Sequence, residues 1–151
     1  MKNLNRRELC VVLSAFAAMG QSATLAESQA TAPKDNVLSR QMTFDFDQMP
    51  ASKSDFGVTR QVLTGVLPTG EFVGLHETTL LPGFMPHPAH KHRHSEFMLM
   101  REGTIEFDNN GTPERVGPGD AIFAASGVMH GWRNIGDTPA KYFVLTVGRD
   151  K

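Results

Sequence analysis

From about residue 42 onward, apolar and polar positions exchange over short distances, and no stretch sustains a 3.6-residue period over three turns. Runs with strand character are "MTFDFDQM", "GVTRQVLTG", "EFVGLHETTL", "EFMLMREG", "TIEFD", "AIFAA", "MHGWRNI" and "KYFVLTV". A period of two shows at Phe44/Phe46, Ile105/Phe107 and Tyr142/Val144, the spacing that puts side chains on one face of a strand. Turn-forming "LPTG", "DNNG", "GPGD" and "IGDTP" separate the runs, as in an all-β sandwich or barrel. The pattern predicts one all-β domain over 42–151, with no repeat and no second domain.

The first thirty residues break that pattern. Basic "MKNLNRREL" precedes apolar "CVVLSAFAAMG" and small, polar "QSATLAESQATA", the three-part order of a secretory signal. The apolar part is too short to span a bilayer, which takes about 20 residues. Arg6 and Arg7 resemble the pair of a twin-arginine signal. The expectation is a signal peptide over 1–26, with cleavage that could extend to 30, then a flexible leader over 27–41. The mature protein would be periplasmic or secreted. Cleavage would remove Cys10, the only cysteine, leaving no thiol to pair in an oxidising compartment. It would also remove Lys2, Arg6, Arg7 and Glu8, moving the net charge from −1 to −3. That near-balance gives no reason to expect nucleic acid or an anionic membrane as partner.

Candidate chemistry is concentrated in "HPAHKHRHSE", residues 87–96, which holds four of the six histidines. On a strand, His90 and His92 would share a face. Glu96 begins an apolar run, where a buried carboxylate needs a cation or a donor. "AASGVMHGWRN" brings a third imidazole, His130. Together His90, His92, Glu96 and His130 make a three-nitrogen, one-oxygen set suited to a divalent first-row metal. Two other readings stay open: an exposed cationic loop, and a ligand set of His92, His94 and Glu96.

These residues resemble the two motifs of the small single-domain cupins. The first is a Gly, His-x-His, a Glu and a Gly, here Gly83, His90, His92, Glu96 and Gly103, with six residues between Gly83 and His90 instead of five. The second is here Gly119, Ala125, Gly127, His130 and Asn134, with Ala125 where Pro is usual. The resemblance covers about residues 56–148. It implies a double-stranded β-helix, a jelly-roll barrel, holding one divalent transition metal, with Fe or Mn favoured and Ni, Cu or Zn as alternatives. It also implies a small-molecule partner, a homodimer, and dioxygenase, decarboxylase, isomerase or lyase chemistry. A non-catalytic cupin that binds a small molecule or a metal is the competing reading.

Further candidates have no assigned partner. His94, His76 and Glu77 are the candidate acids or bases, and only one of His76 and Glu77 can face the interior. Arg60 and Arg133 could hold a substrate carboxylate. Met98 and Met100 share the parity of Glu96 and should line the pocket, whereas Phe97 and Leu99 should pack on the other sheet or a second subunit. Trp132 and Phe123 read as core, and His87 as a loop residue without a role. Phe44 and Phe46 on one side of a strand suggest an apolar strip for a dimer to cover.

Overall fold

The computed structural model describes residues 36–149. The expected signal over 1–26 and the leader up to residue 35 lie outside the described residues, among which no helix is long and apolar enough to cross a membrane. After a 3-10 turn at Phe46–Gln48 come β1 (Ala51–Ser54), β2 (Gly57–Val66), β3 (Phe72–Leu80), β4 (Ser95–Glu102) and β5 (Ile105–Asn109). β6 (Thr112–Val116), β7 (Ala121–Ala124), β8 (His130–Asn134) and β9 (Ala140–Gly148) complete the chain. A six-stranded sheet of order β1-β2-β3-β9-β4-β7 opposes a three-stranded sheet of order β6-β5-β8. Every strand pairing in them is antiparallel. This is the double-stranded β-helix that the sequence led one to expect.

Alternation decides which face is inside. In β9, Ala140, Tyr142, Val144 and Thr146 are buried while their neighbours are half-buried. In β4, Met98 and Met100 are buried and Phe97 and Leu99 are exposed. Each such buried methionine contributes about 1.5–3 kcal/mol relative to exposure. Register stacks these residues in rows across β3, β9 and β4: Thr78–Tyr142–Met100, then His76–Val144–Met98, then Gly74–Thr146–Glu96. The inner wall therefore runs from apolar to polar, and the polar end is where the histidine loop arrives. The opposite sheet closes the core with Ile105, Phe107, Val116 and Trp132. Within it the Trp132 indole N–H donates to the Tyr142 hydroxyl at 2.8 Å.

Three motif positions are structural. Gly103 has φ +78°, and a Cβ there would stand 2.6 Å from Ala140 Cα, so glycine is required for both reasons. Asn134, fully buried, donates to the carbonyls of Leu80 (2.8 Å) and Thr138 (2.9 Å) and accepts from Gly136 N–H. It pins the turn that links the two sheets. Gly131 lets the chain at Ala89 come close, because a Cβ there would lie 3.0 Å from Ala89 Cα.

Several expectations are corrected. "MTFDFDQM" is not a strand: Asp45 accepts from Asp47 N–H at 3.0 Å and winds Phe46–Gln48 into a 3-10 turn. The Phe46 ring then lies over the Arg60 guanidinium, 4.7 Å from centroid to carbon. Phe123 is 56% exposed rather than core, because β7 is an edge strand whose inward parity belongs to Ile122 and Ala124. It pairs instead with the exposed Phe97, ring centroids 4.8 Å apart. Strands β1 and β6 escaped the pattern, β1 being exposed throughout and β6 everywhere but Val116. At the end of the expected leader, Val66 N–H donates to Asn36 O (2.9 Å) and Leu38 N–H to Val66 O (2.8 Å), tying these residues to β2.

Candidate metal centre

His90 and His92 do not share a strand, as the sequence suggested. They lie in the connection between β3 and β4, where His90 alone makes a β-bridge, to His130. The bridge is reciprocal: His90 N–H donates to His130 O, and His130 N–H to His90 O, both at 2.9 Å. Gly131 makes room for this, so the two motif segments meet through backbone before any side chain is considered. His130 opens β8 and Glu96 is the second residue of β4. One ligating nitrogen from each of His90, His92 and His130 lies within 4.8 Å of the others. An overlapping group with the same spacing joins His92, His94 and Glu96.

Hydrogen bonds fix how these rings are protonated. His92 Nδ1 lies 2.8 Å from the His94 carbonyl, and His130 Nδ1 lies 2.9 Å from the Val128 carbonyl. A carbonyl oxygen only accepts, so each Nδ1 carries a proton and, in the neutral ring, each Nε2 presents a lone pair. Both Nε2 atoms are buried and have no hydrogen-bond partner, as is Nδ1 of His90. The two Nε2 atoms face the Glu96 carboxylate, whose Oε2 is 3.5 Å from His92 Nε2 and 3.6 Å from His130 Nε2. Two lone pairs and an anionic oxygen directed at one another repel unless something positive lies between them. Ligand bonds of about 2.0–2.2 Å give donor–donor edges of about 2.8–3.6 Å in right-angled to tetrahedral arrangements. The His92–Glu96 and His130–Glu96 spacings fit a metal site on that test, His90 joins the two imidazoles within the wider 4.8 Å spacing, and the donor set does not single out one metal.

Around His90 and His94 the surroundings are weighted against positive charge. Burial holds the His90 imidazole below its ordinary value, and His87, His130 and His92 push the same way. Burial also lowers His94, with His92 assisting and Glu96 opposing. Rings lowered in this way offer lone pairs near neutral pH. The other carboxylate oxygen, Oε1, accepts from the Thr146 hydroxyl at 3.3 Å and lies 3.4 Å from His94 Nε2.

The two adjacent candidates on β3 separate cleanly. His76 falls in the inner row with Val144 and Met98; burial lowers its pKa, and it senses Glu96 and His87. Glu77 faces the outer side of the same sheet, yet it is fully buried, 3.4 Å from Arg60 Nη1. Arg60 is thereby engaged away from the histidines, and exposed Arg133 reaches the Met85 sulfur at 3.4 Å. Neither arginine stands at the cluster. Two participants went unnoticed in the sequence. His87 packs edge-on against His90, with centroids 4.2 Å apart, although its flanking prolines suggested only a loop. Thr146 touches Glu96, and its shared parity with Tyr142 and Val144 was the available signal.

Comparison with known proteins bears on the fold. A family model described as a cupin domain matches residues 76–147. An RmlC-like cupin from Shewanella frigidimarina is 20% identical, with TM-score 0.59 over 72% of this chain and 91% of that one. KdgF from a Halomonas species is 20% identical, with TM-score 0.62 over 72% and 96%. A Bacillus subtilis oxalate decarboxylase variant is 23% identical, with TM-score 0.58 over 74% of this chain and 30% of its own. No curated protein sequence matches the chain. The barrel shares the double-stranded β-helix fold of these solved structures, and the stretch matched as a cupin domain contains all six histidines of the chain.

Proposed function

We propose that the chain is an exported, metal-dependent cupin enzyme that acts on a small, oxygen-rich molecule. The observation that carries this reading is the pair of carbonyl-locked histidines, His92 and His130, whose partnerless Nε2 atoms converge on Glu96 Oε2. His90, His92, Glu96 and His130 would hold the ion, and Fe or Mn is the favoured occupant. A bound divalent metal would supply Lewis-acid or redox chemistry at positions left open to substrate. The chain's own residues do the rest. Carbonyls of Val128 and His94 orient two imidazoles, while buried Met98, Met100 and Val144 would give a bound ion a dry wall. His76, inside the barrel and not needed as a ligand, is the group placed to hold or move a substrate proton. Solved structures of similar fold include ones named as an oxalate decarboxylase, a sugar phosphate isomerase and a polyketide cyclase. That range supports a small-molecule substrate without choosing a reaction.

Elemental analysis of protein recovered from its native compartment tests the reading, followed by an O2-uptake screen with small acids, enols and phenols. About one equivalent of a first-row metal is expected, and uptake would assign dioxygenase chemistry. Tightly bound metal with no turnover of any substrate class would favour the binding-protein alternative, and absence of metal would remove the metal-dependent enzyme and leave only a binder of small molecules. Export is tested by the mass of the recovered chain, which should lack residues 1–26 or up to 30. Replacing Arg6 and Arg7 with lysine blocks export by a twin-arginine route. A homodimer is part of the proposal, and the exposed Phe97–Phe123 pair with Leu99 is the face it would cover. Light scattering that returns the mass of one chain would exclude it.

A further inference from the structure

The Glu96 carboxylate is asymmetric. Oε2 faces the two Nε2 lone pairs and has no donor of its own. Oε1 receives the Thr146 hydroxyl and stands 3.4 Å from His94 Nε2. A carboxylate cannot donate, so the hydrogen that makes the His94 contact favourable sits on Nε2. His94 is thus in the opposite tautomer from His92 and His130, and its buried Nδ1 is the atom left without a partner. The same residue acts on His92 twice. Its carbonyl accepts from His92 Nδ1 at 2.8 Å, and its ring stacks on the His92 ring at 3.6 Å and 18°.

We propose that His94 is a positioning residue: by occupying Oε1 it leaves Oε2 as the single oxygen that Glu96 gives to the ion, while its ring and carbonyl hold His92 in place. This rests on the metal reading above and adds a role that the four donors do not have. Groups that orient ligands without binding the metal are worth about 10–100-fold in affinity. The ligand set His92, His94 and Glu96 is the alternative for the same atoms, and experiment separates the two.

The test is titration of the purified chain with Co(II), read by stoichiometry, dissociation constant and visible d–d absorption. His94→Gln places an amide N–H where Nε2 stands; His94→Phe keeps the stacked ring and removes the donor; His92→Ala is the reference for loss of a ligand. One equivalent is expected for the wild-type chain and both His94 variants, and His94→Gln should keep the wild-type spectrum. His94→Phe should bind about 10-fold more weakly, with weaker d–d bands as Oε1 joins Oε2 and raises the coordination number. His94→Phe that matches wild type in constant and spectrum overturns the proposal. So does loss of stoichiometric binding in both variants to the level of His92→Ala, which would make His94 a ligand. A wild-type chain that takes up no Co(II) sinks the metal reading itself, a different result from either. Thermal unfolding of the apo proteins checks that each variant is folded; if His94→Phe is not, His94→Leu, which also removes the donor, is read against the same two outcomes.

Discussion

Glu96 and Glu77 both lie in one sheet, one on its inner side and one on its outer, and both are withdrawn from water. Glu77 is 0% exposed and faces a permanent cation, Arg60, which is itself covered by the Phe46 ring. The Thr79 hydroxyl, 3.4 Å away, adds a second partner. Its charge is answered from within the protein. Glu96, with 14% of its side chain exposed, meets only the neutral donors of Thr146 and His94 on Oε1, while Oε2 faces the lone pairs of His92 and His130. Nothing permanent answers that charge. A buried anion with a built-in counterion belongs to the architecture, whereas one surrounded by unsatisfied acceptors is arranged for a cation from outside.

That contrast can be broken experimentally, most severely at the inner site. His130→Ala should lower metal affinity by more than the roughly 100-fold upper limit for groups outside the coordination shell, while the circular dichroism of the barrel stays unchanged. At the outer site the reverse is expected. Arg60→Met should leave metal content intact and cost about 2–3 kcal/mol in denaturant unfolding, somewhat below a fully buried pair because Arg60 is partly exposed. The double variant Arg60→Met, Glu77→Leu should regain most of that loss. Metal loss in Arg60→Met, or a normal metal content in His130→Ala, would abolish the distinction.

Smaller effects sharpen it. Tyr142→Phe strands the Trp132 indole N–H between the two sites and should cost about 1–3 kcal/mol in unfolding free energy, with metal binding preserved. The smallest effect is on pH dependence in the metal-free chain. His90, His94 and His76 are all lowered from 6.5, with burial as the first cause. Above that value both folded and unfolded forms are neutral at these groups and stability does not depend on them. As pH falls through 6.5 the unfolded chain takes up protons first, so folded apo protein loses stability. Urea midpoints between pH 7.5 and 5.5 should therefore fall, and a rise would mean the rings are stabilised as cations.

Much of this was legible in sequence, and the parts that were not have identifiable reasons. Period-two runs such as "KYFVLTV" gave β9 because burial on one face leaves that trace. Clustered histidines with Glu96 and His130 named the residues that now stand together. Hidden from sequence were contributions made by backbone: the carbonyls of Val128 and His94 that set tautomers carry no residue preference. Parity could say that His76 and Glu77 face opposite ways, but not which is inside; only pairing with Val144 and Phe143 decides that. "MTFDFDQM" misled because the Asp45 side chain competes for a backbone N–H that a strand would have used. Phe123 misled because an edge strand need not hide its apolar side.

The backbone bridge between His90 and His130 has a kinetic consequence. Its two hydrogen bonds close a loop some forty residues long in sequence, and loop entropy must be overcome before such a contact repays it. We expect the closure to follow the main barrier of folding, and the pocket proposed for the ion does not exist until it has occurred. An ion that binds only the closed form adds nothing to the barrier crossed while folding and must be shed, or dragged along, when the chain opens. Metal should act as a latch, lengthening the lifetime of the folded barrel while leaving its rate of formation almost untouched.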